Sequence, residues 1–215
     1  EAGSYRFVSD IDQRLVPRPT AAMLGQGDTS LNLALDGAVV LPDQAYSELR
    51  VQGGAGSATV TLLQDGGQSF LLQDGEVKPV ESAINLTGQS NDMLAYLAGA
   101  ENATLLDPPE GHPQLMRIGF VISGPAYAEH VRREAEAALR AQPGAPEGLT
   151  VKPMPTLQQL SGRGELWVNA AGLPVRQVVE LTMPEVSEGY DAHVRMVTDL
   201  SSYGQVEVLP RAIRN

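Results

Sequence analysis

The chain has no cysteine among its 215 residues. Structural disulfides, thiolate metal sites and a cysteine nucleophile are excluded together, and thiols give no reading of the redox compartment. Aromatic residues are scarce, with one Trp, six Tyr and three Phe, so Leu, Val and Ala must build an aliphatic core. Basic residues are outnumbered, 15 Lys and Arg against 26 Asp and Glu, which leaves a net charge of −11. Nucleic acid and anionic membrane surfaces both need clustered cations to displace counterions, so neither is expected as a partner. No long single-sign run occurs, and the acidity is spread over the surface. No apolar run approaches the roughly 18–20 residues that a bilayer-spanning helix needs. The sequence opens at Glu1-Ala2-Gly3-Ser4 and contains no signal peptide. That abrupt start reads as a trimmed chain or as a mature product, either of which leaves room for an export signal or lipid anchor upstream.

Catalytic signatures are missing as well. Gly119-Phe120-Val121-Ile122-Ser123 is not a nucleophile elbow, and neither a P-loop nor a Gly-x-Gly-x-x-Gly turn occurs. Gly53-Gly54-Ala55-Gly56-Ser57 precedes a strand rather than opening a helix, so it is a loop and not a phosphate cradle. His112 lies in a proline-rich turn, Asp107-Pro108-Pro109-Glu110-Gly111-His112-Pro113. His130 and Glu134 stand one helical turn apart, but Arg132 and Arg133 beside them suit a solvated face and not a metal. His193 sits beside Asp191 at a strand edge. Asp10 and Asp12 share one strand face, and a carboxylate pair can serve glycoside hydrolysis across a cleft. Opposite Tyr5, Phe7 and Ile11, their simpler reading is a wet face. Asn85-Leu86-Thr87 and Asn102-Ala103-Thr104 fit glycosylation sequons, a pattern short enough to arise by chance. No catalytic residue, metal ligand or cofactor site emerges.

What is there is period-2 patterning. Tyr5–Asp12 alternates with Tyr5, Phe7 and Ile11 on one face, and Leu31, Leu33 and Leu35 alternate with Asn32, Ala34 and Asp36. Further strands are expected at Tyr46–Val51, Ala58–Leu63, Ser69–Gln73 and Val77–Val80, with turns at Gln64-Asp65-Gly66-Gly67 and Asp74-Gly75. Ser90-Asn91-Asp92 caps a short helix, Met93–Ala98. Strand Arg117–Ile122 leads through Ser123-Gly124-Pro125 into a longer helix that ends near Gln142, before Pro143-Gly144. Tyr127, Val131, Ala135, Ala138 and Leu139 make its apolar stripe. After a connection over Pro143–Pro155 come a hairpin, Gly164–Asn169 and Leu173–Thr182, and two last strands, Ala192–Thr198 and Gln205–Leu209. The connections are too short for parallel crossovers. An α+β fold follows, a single curved, mostly antiparallel sheet wrapping two helices. No boundary divides residues 1–215.

Gly164-Glu165-Leu166-Trp167-Val168-Asn169-Ala170-Ala171-Gly172-Leu173-Pro174-Val175-Arg176 resembles a hairpin of bacterial lipoproteins of the LppX/LprG type, whose fold is that of the lipoprotein carriers LolA and LolB. The ending Asp199–Pro210, the opening Tyr5-Arg6-Phe7, the stretch Leu94–Leu106 and the corner Ser123-Gly124-Pro125-Ala126-Tyr127 are similar to the same family's order of elements. The resemblance implies an open half-barrel with an apolar cavity between sheet and helices, and an extracytoplasmic place in the periplasm or cell envelope. It also implies a role in binding or moving a lipophilic small molecule or acyl chain. The family's lipid-anchored cysteine is absent, so any membrane anchoring lies with a segment upstream. Leu94 and Leu97 on the short helix, Tyr127, Val131 and Leu139 on the long one, and Trp167 are the candidate lining residues. Each reads equally well as core, and Trp167 as core or cavity mouth. The leading expectation is a binding protein, since apolar pockets need shape and bulk rather than reactive groups. A structural or sensory cell-envelope domain with a filled cavity is the second reading. A hydrolase is the third, and it would need a clustered acid and base in a cleft.

Overall fold

The structure is a computed structural model that describes residues 3–41, 44–53, 56–65, 68–73, 76–80, 93–140 and 148–206. Six strands come first: β1 (Ser4–Pro17), β2 (Thr29–Val40), β3 (Gln44–Gly53), β4 (Gly56–Asp65), β5 (Gln68–Gln73) and β6 (Glu76–Val80). Then come β7 (Ala100–Leu106), β8 (Met116–Ser123), α1 (Gly124–Arg140), α2 (Pro155–Gln158), β9 (Ser161–Val168), β10 (Pro174–Ser187) and β11 (Tyr190–Ser201). All eleven strands belong to one sheet in the order β6-β5-β4-β3-β2-β1-β11-β10-β9-β8-β7. Two antiparallel meanders meet where β1 pairs β11, Phe7 opposite Leu200 and Ile11 opposite Met196. The edge strands β6 and β7 do not pair with each other, so the sheet is open, an α+β half-barrel-like architecture.

Alternation along β1, β10 and β11 gives the sheet two unlike faces. Tyr5, Phe7 and Ile11 of β1, Leu33 and Leu35 of β2, Leu49 of β3, Val179 and Leu181 of β10 and Met196 of β11 are buried on the inner face. Each large apolar side chain buried there contributes about 1.5–3 kcal/mol. Two of the three phenylalanines lie across glycines on neighbouring strands: Phe7 faces Gly37, and Phe120 faces Gly164. A Cβ at either glycine would collide with the ring. The inner face therefore gains ring area where the backbone offers no side chain.

The helices lie over the β8–β10 half. Tyr127, Ala128, Val131 and Ala135 are the buried apolar residues of α1. Tyr127 stacks on Tyr96 with ring centroids 5.0 Å apart. Gly124 lets the start of α1 approach the carbonyls of Leu157 and Leu160, a position with no room for a Cβ. Glu136, on the same helix, accepts from the Val151 backbone N–H at 2.9 Å and pairs with Arg132 and Arg140, which ties residues 149–151 to α1.

Several expectations change. The short helix is a 3-10 turn, Ala95–Gly99, because β7 begins at Ala100 and leaves too few residues for an α-helix. Its expected cap at Ser90-Asn91-Asp92 lies outside the described residues, as does the expected end of α1 near Gln142. Ala138 and Leu139 of the expected apolar stripe are exposed. The edge strand β7 has no alternation to reveal it: five consecutive residues are exposed. The Pro143–Pro155 connection hands over to α2, with Pro155 at its first turn. Gln205 and Val206 form no strand, because both sides of β1 are already taken by β2 and β11; Val206 N–H instead donates to Ser4 Oγ at 3.2 Å. Residues 207–209 of that expected strand lie outside the described residues.

Candidate functional site

The inner face carries no charged side chain on β1–β4, β8, β9, β11 or β10 up to Met183, among the described residues. Burial along it is uneven. On the side covered by helices it is closed: Tyr127 and Ile122 are 1% exposed and Val179 0%. On the β2–β4 side, Leu31, Val51, Val60 and Leu62 point inward by register yet are only half-buried. α1 packs on the 3-10 turn, α2 and β8, at the other end of the sheet.

A polar row crosses this face at its centre. Ser9, Thr198 and Gln177 are direct cross-strand neighbours, all 0% exposed. Ser9 Oγ and Thr198 Oγ1 share a hydrogen bond of 2.9 Å. Gln177 Nε2 donates to the Met93 carbonyl at 3.2 Å, and the Met93 N–H donates to Tyr5 Oη at 3.1 Å. The entry to the 3-10 turn is thus held from both sides. Gln177 Oε1 has no partner among the described residues. Burial pushes the Tyr96 hydroxyl up to about 12 and the Tyr127 hydroxyl higher still, so both hydroxyls stay protonated.

The six expected lining residues separate. Leu94 and Leu97 are half-buried at the margin of the core, and Tyr127 and Val131 belong to its packed interior. Leu139 is 39% exposed near the end of α1. Trp167 lies on the outer face, because alternation in β9 turns Gly164 and Val168 inward and Glu165 and Trp167 outward. There Arg176 sits over the indole, 5.1 Å from its centroid, and the His112 ring is 6.5 Å away. Neither Leu139 nor Trp167 reaches the space between sheet and helices.

The outer face of β8–β11 is a lattice of paired charges, whereas on β2–β4 the same face holds the buried Ala38 and Leu63. Arg117 grips Glu165 at 2.6 and 2.8 Å, Arg176 grips Asp199 at 2.6 and 2.7 Å, and Arg163 Nε donates to Glu180 at 2.7 Å. The Arg117 guanidinium holds the Glu165 carboxyl below its ordinary range. Among the described residues two depressions open here, of about 620 and 410 Å3, and none of the six lining candidates borders either. Asp10 and Asp12 are exposed on this same face. The histidines are scattered: His112 beside Trp167, His130 paired to Glu134 at 3.4 Å, His193 against Thr182 at 3.3 Å. Among the described residues no group of three His, Cys, Asp or Glu is placed to hold a metal. Sequence reasoning missed the buried row; Ser9 sits at a core position between Phe7 and Ile11, and that misplaced polarity was its only signal.

No family model and no curated protein matches the chain. Among solved structures it is similar to LprF from Mycobacterium bovis, at 11% identity over 97% of this chain and 88% of that one, with a TM-score of 0.44. It is similar also to a LolA superfamily protein from Nitrosomonas europaea, at 11% identity over 97% and 89%, with a TM-score of 0.32.

Proposed function

We propose that this chain is an extracytoplasmic binding protein that holds an acyl chain or a similar lipophilic group against the inner face of β2–β4. The observation that carries the reading is the uncharged inner surface continuing past the helices to the half-buried Leu31, Val51, Val60 and Leu62. A run of apolar side chains without a charge is a surface that gains by losing water, about 25 cal/mol for each Å2 covered. The closed β8–β10 half acts as a fixed wall, with Tyr127 and Val131 inside it. Leu94 and Leu97, beside and within the 3-10 turn, are half-buried at the margin of the core and keep surface that a ligand reaching past β1 could cover. Export, and any membrane anchoring through an upstream segment, accompany this reading.

A fluorescent fatty-acid probe titrated into the protein tests it. Saturable enhancement, displaced by unlabelled fatty acid and weakened by Val51→Asp, is the expected result. Val51→Asp places a carboxylate on the inner face, where desolvating it opposes binding. Absence of saturable binding by the parent protein removes the reading. A structural or sensory domain with a filled interior then stands, favoured by the tight burial of Tyr127, Ile122 and Val179.

A further inference from the structure

The larger depression lies on the opposite face from the proposed lipophilic site and has chemistry of its own. Its volume is about 620 Å3, and Asp12, Arg195, Glu180 and Arg163 cross it as consecutive cross-strand partners of β1, β11, β10 and β9. Pairing consumes part of that charge. Arg163 donates to Glu180 at 2.7 Å. Arg14, on the same rim, is bound to Asp28 through Nε at 2.7 Å. Among the described residues Arg195 is left with a single distant ion pair, Nε to Glu180 at 3.9 Å, and is 54% exposed. Asp12 has no hydrogen bond or ion pair among the described residues, although it stands directly opposite Arg195 in the β1–β11 register. One cation and one anion therefore remain uncommitted on neighbouring strands, over a floor formed at Gly162, Leu181 and Val194. Further hydrogen-bonding groups flank them: the Ser161 hydroxyl, and Thr182 with His193 at 3.3 Å.

We propose that this depression binds a small zwitterion, a ligand that joins a primary ammonium group to an oxyanion. The oxyanion sits on the Arg195 guanidinium with support from Thr182 and His193, and the ammonium sits on the Asp12 carboxylate. Charge-assisted contacts of this kind are about twice as strong as neutral hydrogen bonds. The direct Asp12–Arg195 attraction that the ligand must replace is weak, since exposed pairs contribute about 0–1 kcal/mol. A ligand of one sign satisfies only half the site and meets repulsion from the other half. Free amino-carboxylates and phosphoethanolamine-type headgroups share the required chemistry.

Calorimetric titration separates the sources and the halves. β-Alanine represents the free amino-carboxylate, phosphoethanolamine the headgroup, and acetate, inorganic phosphate and ethylamine the half-ligands. Saturable binding of at least one zwitterion is expected, with each half-ligand at least about tenfold weaker. Whichever zwitterion binds more tightly identifies the source. Arg195→Gln and Asp12→Asn should each weaken that binding by about tenfold, while leaving the thermal midpoint and the fatty-acid probe titration unchanged. Because the two sites lie on opposite faces, loss of one reading leaves the other standing. No saturable binding of either zwitterion, half-ligands that bind equally well, or variants that bind as the parent does would each overturn the proposal.

Discussion

Gln177 donates through Nε2 to the carbonyl oxygen of Met93, 3.2 Å away and 84 positions earlier in the chain. The bond joins β10 to the entry of the 3-10 turn, and Tyr5 completes the hold from β1. Gln177→Leu keeps the volume but leaves the Met93 carbonyl without its donor. We expect a loss of about 1–3 kcal/mol, read as a midpoint lower by roughly 2–4 °C per kcal/mol in a chain of this size. Gln177→Glu should be worse, because it buries an unpaired carboxylate. Midpoints of both variants equal to the parent's would show that the 3-10 turn is held by apolar contacts alone.

The Phe120–Gly164 pair gives a second test. A Cβ at Gly164 collides with the ring of Phe120, so Gly164→Ala should destabilise by about 1–3 kcal/mol through overpacking. Phe120→Leu, which removes the ring, should cost less in the Gly164→Ala background than alone. A denaturant-based double-mutant cycle reads that coupling. Additive effects would mean that the strands shift to accept the methyl group.

Acid stability should depend on Glu136. Its carboxyl lies below its ordinary 4.5, chiefly through the hydrogen bond from Val151 N–H and then through Arg132. A group depressed in the folded state stabilises above its unfolded pKa and loses that contribution as pH falls through the folded value. The melting midpoint should therefore decline as pH drops below about 4.5, and Glu136→Gln should flatten the decline. Parallel profiles of parent and variant between pH 6 and pH 3, as approximate bounds of that window, would assign acid sensitivity to other carboxylates.

The strands with clean alternation were legible in the sequence because a half-buried strand writes its burial into every second residue. Tyr5, Phe7 and Ile11, and then Leu31, Leu33 and Leu35, announce β1 and β2 and their inner face. β7 was not legible: an exposed edge strand pays no penalty for polar residues, and Leu105, at 73% exposure, misleads. Leu139 misled by the same route, since helical periodicity says which face a residue takes but not where the sheet beneath it stops. Trp167 was open to two readings because a Trp between Leu166 and Val168 fits either face. Parity from Gly164 decides it, and the Phe120 contact and the pairing with buried Val179 show that Gly164 faces inward. Fold class was legible in local pattern. The zwitterion site depends on the β1–β11 register, between strands distant in sequence.

Tryptophan substitutions on α1 and on β4 separate the two halves of the inner face. If the ligand lies against β2–β4, filling α1 should harm the fold and spare binding. Ala135 is 7% exposed beneath α1, so Ala135→Trp should cost about 1–3 kcal/mol; Ala138 is exposed, and Ala138→Trp should be silent. Neither should change the affinity of the folded fraction for a fatty-acid probe. Val60→Trp acts in the opposite sense: it is half-buried on the inner face of β4, where a larger ring occupies ligand space while the fold remains. Binding in all cases should change little with salt, because apolar burial is not screened. Probe affinity lost in Ala135→Trp but kept in Val60→Trp would move the ligand beneath α1 and refute the β2–β4 location.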